Sequence, residues 1–374
     1  MRTYLDHNAT SPLRPEARDA MIAAMDMAAN ASSVHREGRK AQALIETARD
    51  TIAKSLGVIS PGVIFTSGGS ESCNHAIRGV NVDRVLVSSI EHPCVLEAAK
   101  ASGKLTSLIP VDSNGIIDLA ALDTLLRDGQ GRALVSVMLA NNETGVIQPI
   151  RDIVALAQKH DALVHTDCVQ AFGKVPVNFG LLGVDMLSVS AHKLGGPQGI
   201  GALVVRDGLP VTPLIAGGGQ ELRRRAGTEN VAAIAGFAAA VATSSNDATH
   251  GNSSNISKLR DQLESSLKGH GLDITVFSSS VDRLPNTVCF SADGLSAEML
   301  VMAFDLQGVA VSSGSACSSG KVQASHVLSA MEVKDELANG AIRVSLGWST
   351  TVHDINRFSE VWQHIAARHC ARAA

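Results

Sequence analysis

Short apolar runs alternate with helix-patterned segments through the first two-thirds of this chain, and that alternation restricts its fold more than any other feature. Val63-Ile64-Phe65, Arg84–Ser88, Leu105–Pro110, Ala133–Leu139, Ala162–His165, Met186–Val189 and Ile200–Val205 read as strands. Around and between them, Pro15–Met27, Gly38–Ser55, Ser72–Val80, Cys94–Ala101, Asp118–Arg127 and Pro149–His160 read as helices, the fifth capped by Asp118. Strands that are apolar throughout are buried on both faces. The pattern therefore predicts an α/β fold with a mainly parallel sheet, covered by helices and joined by right-handed crossovers.

The pattern changes near residue 245. Thr243–Asp247 and Gly251–Asn255 are polar and turn-rich. A helix at Ile256–Lys268 then leads into strands at Asp273–Phe277, Thr287–Ser291 and Val309–Ser312. At 374 residues the chain is long enough for about two domains. The division expected is a large domain at 15–250 and a smaller α+β domain at 1–14 and 251–374. The polar stretch also reads as a long surface loop.

Composition limits the classes of function. Aromatic residues make up only 3%, so the core must be built from Ala, Val, Leu and Ile. A formal charge of −4 gives no basic surface for nucleic acid or membrane. The first residues, Met1–His7, form no apolar signal region, and the longest apolar run, Val231–Ala242, is too short to cross a bilayer. A cytoplasmic location is expected. None of the six cysteines lies in a C-x-x-C pair, so no metal site is expected. Free thiols should prevail, most of them small buried hydrophobes and one reactive.

The chemistry gathers around Ser190-Ala191-His192-Lys193-Leu194-Gly195-Gly196-Pro197. Small and hydroxyl-bearing residues lead into a lysine, and a glycine-rich turn follows it. A lysine held beside a carbonyl forms a Schiff base, and pyridoxal phosphate (PLP) is the commonest such cofactor. Thr66-Ser67-Gly68-Gly69-Ser70-Glu71 is a strand-to-helix turn whose free N–H groups and hydroxyls suit a phosphate. His165–Gln170 ends an apolar strand, where open α/β sheets place ligands. There Asp167 suits a protonated ring nitrogen and Gln170 a ring oxygen, although in isolation the pair reads first as an N-cap aspartate and a surface glutamine.

Three more segments carry two readings each. Asn141–Gly145 suits recognition of a carboxylate or ring oxygen, or forms an Asx turn. His92, after a strand and before Pro93, is a stacking and proton-transfer residue or a structural histidine. Arg343, between apolar strand residues, binds a substrate carboxylate or sits in an ion pair. A last segment, Val311–Gly320, places Cys317 among small polar residues, an exposed setting in which a thiol is a liability unless it is used.

Together, from Tyr4-Leu5-Asp6-His7-Asn8-Ala9-Thr10 to Arg343-Val344-Ser345-Leu346-Gly347, these segments resemble the cysteine desulfurases, class V members of the PLP-dependent fold type I enzymes. The S-S-G-S-A-C loop resembles the NifS/IscS subgroup. The resemblance implies conversion of L-cysteine to alanine, with the sulfur held as a persulfide on Cys317 and passed to an acceptor protein for iron–sulfur cluster, thio-cofactor or tRNA synthesis. Lys193 would be the Schiff-base lysine, Asp167 the partner of the pyridine nitrogen, Gln170 a contact of the ring oxygen, and His92 a stacking and proton-transfer residue. Gly69, Ser70, Ser190 and His192 would hold the phosphate, with Ser190 and His192 pointing opposite to Lys193 along an extended segment. Thr228 would reach the phosphate of a second subunit, which implies a homodimer with shared sites. Asn142 and Arg343 would clamp the substrate carboxylate beside Asn8.

The chain departs from the family pattern at Gly69-Ser70, where Ala-Thr is usual, at Cys168, at Leu194-Gly195, at Gln198 and Ala226, and across Lys321–His326. The last of these leaves the acceptor open. Selenocysteine lyase and class V aminotransferase chemistry fit the same scaffold, and a carrier or assembly scaffold that has lost PLP is the non-enzyme reading.

Overall fold

The computed structural model describes residues 2–27, 30–249, 252–313 and 325–373. Its strands are β1 (Thr3–Tyr4), β2 (Val63–Thr66), β3 (Arg84–Ser88), β4 (Leu105–Ile109), β5 (Ala133–Ser136), β6 (Leu163–Asp167), β7 (Met186–Ser190), β8 (Gly201–Val205), β9 (Ile274–Val276), β10 (Thr287–Ala292), β11 (Val309–Ala310), β12 (Ser312–Ser313) and β13 (Ile342–Ser345). Seven of them form one sheet in the order β2-β8-β7-β6-β5-β3-β4. Strands β4, β3, β5, β6 and β7 are mutually parallel, and β8 runs antiparallel to both of its neighbours. Every residue of β2, β3 and β5 to β8 is buried, because helices cover both faces of the sheet.

Helix Arg36–Leu56 illustrates how the covering layer is specified. Ala41, Ile45, Ala48, Ile52 and Leu56 recur at helical spacing and are buried. His35 caps its start by accepting a hydrogen bond from Gly38 N, and Gly57 ends it at φ 66°. Helix Leu119–Asp128 begins, as expected, at Asp118, whose carboxylate accepts from the N–H groups of Ala120 and Ala121.

A second, four-stranded antiparallel sheet has the order β12-β13-β10-β9. Four of the aromatics pack in its core, where Phe304 stacks on Phe358 and Phe290 meets Trp362 edge-on. The N-terminal segment joins this part of the molecule: β1 pairs with β11, and Asp6 bridges to Ser345.

Two expectations differ from the structure. The polar stretch near residue 245 is mostly helical: one helix runs Val231–Thr249 and the next Asn252–Ser266. The first packs on helices Pro15–Met25 and Arg36–Leu56, and that tertiary contact overrides the turn-forming tendency of Ser and Asn. Ser190 and Lys193 do not lie in one extended segment either. Ala191–Lys193 is a 3₁₀ turn, closed by Leu194 N and Gly196 N donating to Ala191 O. No helix among the described residues is long and apolar enough to cross a membrane.

Candidate active site

The parallel strands all end at one edge of the large sheet, and the side chains beyond those ends face a single cleft of about 360 Å³. The turn after β2 supplies Gly69 and Ser70, the turn after β3 supplies His92, and the segment after β5 supplies Asn142. Asp167 closes β6 with Gln170 beyond it, and Ser190, His192 and Lys193 end β7. The opposite wall comes from the N-terminal segment and the small sheet, through Asn8, Ser312, Ser313 and Arg343.

Lys193 Nζ donates to Asn8 O at 2.6 Å and to Ala9 O at 2.8 Å. Burial, reinforced by the positive charge of Arg343, pulls its proton affinity down to about 8 against the opposing pull of Asp167 and Asp6. The neutral, nucleophilic amine is therefore accessible near neutral pH.

Asp167 is 7% exposed. One of its oxygens accepts from Val169 N at 2.8 Å, so it does cap a turn, and the side chain also faces the cleft. Burial and the Cys94 thiolate raise its proton affinity to about 6, while the Val169 N–H and His92 oppose them. His92 Nδ1 accepts from Cys94 N at 3.2 Å at the start of helix Pro93–Lys100. Burial lowers the proton affinity of His92, but Cys94 and Asp167 outweigh it and the net shift is upward.

Arg343 satisfies both of its readings. Its Nη2 donates to Asp6 Oδ1 at 2.8 Å and its Nη1 to Asn142 O at 2.9 Å, while Nε is buried without a partner among the described residues. An arginine paired on one side and unsatisfied on another, at the wall of a cleft, suits an incoming carboxylate. The Asx turn forms as well, but on Asn141, whose Oδ1 accepts from Glu143 N and Thr144 N; this leaves Asn142 to line the cleft.

At the mouth, Ser67 to Ser70, Ser190, His192 and Gly199 line a recess that shares Gly69 and Ser70 with the cleft. The first turn of helix Gly69–Gly79 leaves its N–H groups free to bind an anion. Gly201 lets this turn settle on β8, since a Cβ there would sit 2.8 Å from Gly68 Cα. Glu71 accepts from Ser67 N at 2.8 Å and pairs with Arg225 at 2.9 Å, which fixes the turn.

Eleven expected residues thus meet in one cleft: Asn8, Gly69, Ser70, His92, Asn142, Asp167, Gln170, Ser190, His192, Lys193 and Arg343. Thr228 does not line the cleft; it sits in an adjoining recess with Arg225 that shares Ser67 and Gly199 with the anion-binding mouth. Cys317 lies outside the described residues. Sequence reasoning missed three contributors. Lys174 Nζ, buried and held well below its usual proton affinity by that burial and by Lys193, donates to Asn8 Oδ1 at 2.8 Å and Gln170 Oε1 at 2.7 Å. Its signal was the four-residue spacing from Gln170. Asp6 orients Arg343, and no local pattern announces so distant a pairing. Cys94 lines the cleft and meets Cys73 and Asp167, with ligating atoms all within 4.8 Å of one another. Twenty-odd residues of chain separate the two thiols, so a search for C-x-x-C spacing passes over them.

The donor set suits one kind of ligand. An amine of lowered proton affinity, a buried carboxylate and an anion-binding helix start fit an aromatic aldehyde bearing a ring nitrogen and a phosphate. The aminotransferase class-V family model matches residues 3–358. A cysteine desulfurase IscS of Dictyoglomus turgidum is 42% identical over 372 residues, covering 97% of this chain and 94% of that protein. A cysteine desulfurase of Cereibacter sphaeroides is 41% identical over 371 residues, covering 96% of this chain and 94% of that protein. The X-ray structure of a NifS-like protein from Rickettsia africae superposes with a TM-score of 0.90 at 38% identity, covering 98% of this chain and 99% of that one. A structure of SspA in complex with cysteine does so at 0.78 and 31% identity, covering 92% and 98%. With relatives of that similarity along nearly its whole length, the chain belongs to the class-V aminotransferase family, in its cysteine desulfurase branch.

Proposed function

We propose that this chain is a PLP-dependent cysteine desulfurase that takes sulfur from L-cysteine onto Cys317 and releases alanine. The observation that carries the reading is the placement of Lys193, Asp167, His92 and Arg343 around one cleft beside an anion-binding turn. Lys193 would hold PLP covalently, Asp167 would keep its ring nitrogen protonated, and Gln170 would meet its ring oxygen. Gly69, Ser70, Ser190 and His192 would seat its phosphate. When bound, PLP supplies an aldehyde for the substrate amine and an electron-withdrawing ring.

The remaining steps belong to the chain. Arg343, with Asn8 and Asn142 beside it, orients the substrate carboxylate. Lys193 Nζ takes the proton from the substrate Cα. The Cys317 thiolate attacks the substrate sulfur and forms an S–S bond. The C–S bond breaks, its electron pair stays on carbon, and a proton delivered there completes alanine. His92, whose proton affinity is raised in this cleft, is placed to give or take protons.

Thr228, in the recess that adjoins the anion-binding mouth through Ser67 and Gly199, would serve the phosphate of a second copy, and the working form would be a homodimer with shared sites. The residue division into 15–250 and 1–14 with 251–374 belongs to the same reading. A sulfur-acceptor protein completes it.

Cys317→Ser should abolish alanine formation from cysteine while keeping the cofactor's absorbance at the edge of the visible. Full turnover in that variant would overturn the nucleophile assignment. Lys193→Ala should lose that absorbance, and an unchanged spectrum would overturn the lysine assignment.

A further inference from the structure

Cys94 and Cys73 form a thiol pair that the desulfurase reaction does not use. Cys94 stands in the first turn of helix Pro93–Lys100 and faces the cleft; Cys73 lies behind it, fully buried in helix Gly69–Gly79. The Cys73 sulfur is 3.7 Å from Asp167 Oδ2, and the two sulfurs and a carboxylate oxygen of Asp167 are mutually within 4.8 Å. We propose that Cys94 is a site of oxidation by hydroperoxides and that Cys73 is its resolving partner, the two closing a reversible disulfide beside the cofactor cleft.

The asymmetry of the pair supports these roles. A hydrogen bond from Cys73, assisted by His92 and Ser70 against the cost of burial, pulls the Cys94 thiol down to about 5. The same contact, together with burial and Asp167, pushes Cys73 well above its usual range. The half-buried, cleft-facing member is the thiolate and the fully buried member keeps the proton. The Cys94 thiolate attacks one oxygen of the peroxide, the O–O bond breaks, and a sulfenic acid and hydroxide result. The Cys73 sulfur then attacks the sulfenic sulfur. Its proton leaves with the oxygen as water, and the S–S bond forms. The peroxide gains the two electrons that the thiols lose.

The same three groups also make a soft-metal donor set. With Asp167 facing the ring nitrogen of a bound cofactor, only two sulfurs remain, too few for a zinc site. Oxidation needs no third ligand.

The test uses the cofactor-loaded Cys317→Ser protein, which removes the other reactive thiol. It is treated with hydrogen peroxide and mapped by peptide mass spectrometry. A peptide pair linked through Cys73 and Cys94, about 2 Da lighter than the sum of the reduced peptides and separated again by dithiothreitol, is expected. It should accumulate at least about ten-fold faster than oxygen adds to the buried Cys168 and Cys289. Adding Cys73→Ser, whose hydroxyl keeps a donor to Cys94, should convert Cys94 instead to an irreversible product about 32 Da heavier. Absence of the linked pair, with Cys94 gaining oxygen whether or not Cys73 is present, would overturn the proposal.

Discussion

The most exacting test of the cleft is the proton affinity of Lys193. An ordinary lysine near pH 7.5 is about 0.1% neutral. With its proton affinity drawn down to about 8, roughly a quarter of Lys193 amines are neutral there, a gain of about two orders of magnitude in nucleophile. The displacement corresponds to about 3 kcal/mol between the two protonation states. Burial contributes most and Arg343 next, while Asp6 acts in the opposite sense. Arg343→Gln therefore acts twice: it removes a cation that disfavours the ammonium and releases Asp6, which favours it. The amine midpoint should rise by about one unit, so that labelling near pH 7.5 falls several-fold. Competitive acetylation of cofactor-free protein across pH, read by mass spectrometry of the peptide holding Lys193, measures the midpoint directly. A wild-type midpoint near 10.5, or the same midpoint in Arg343→Gln, would refute the electrostatic account.

Glu143 accepts from Ser325 Oγ at 2.5 Å and is raised to about 7, chiefly by burial. A carboxyl raised on folding holds its proton more tightly in the native state, so its stabilising contribution is whole below about pH 4.5 and is lost as pH climbs through 7, up to about 3 kcal/mol. Glu143→Gln should remove that slope from urea unfolding measured across pH; an unaltered slope would rule it out. Arg49 and Glu221 pair at 2.6 Å with side chains only 8% and 2% exposed. Glu221→Gln should cost about 3–5 kcal/mol in urea unfolding, and Arg49→Met added to it should recover part of the loss. Losses under about 1 kcal/mol would show that the charge finds water. Gly69→Ala brings a Cβ to 2.8 Å from Val169 Cγ2. It should cost about 1–3 kcal/mol by thermal unfolding, relieved by Val169→Ala, and a neutral Gly69→Ala would mean that Val169 turns aside freely.

The large sheet was legible because its strands are apolar on both faces and its helices keep their spacing. The cleft residues on it were legible for a related reason: each stands at the end of a strand or in the segment that follows, where the chain turns toward the ligand edge. What escaped was relational. Nothing local shows that Asp6 will meet Arg343, that Lys174 will hold Gln170, or that Cys73 will back Cys94. The helical course of residues 243–249 escaped because its cause is the packing of Val231–Thr249 on two earlier helices, not the preferences of its serines. The turn at Ala191–Lys193 was hidden too, its closure depending on Leu194 N and Gly196 N donating to Ala191 O rather than on any side-chain pattern.

Asn8 gathers partners from across the chain. Its backbone carbonyl accepts from Lys193 and Gln170, and its side chain bonds Thr287, Asn286 and Lys174. Its own N–H donates to Ser345 Oγ. Asn8 and Ser345 stand 337 residues apart along the chain, and a ribosome makes the first long before the second. The cleft therefore cannot close around its lysine until the chain has been made through Ser345, and until then the growing polypeptide carries a nucleophile with no finished chamber to use it in.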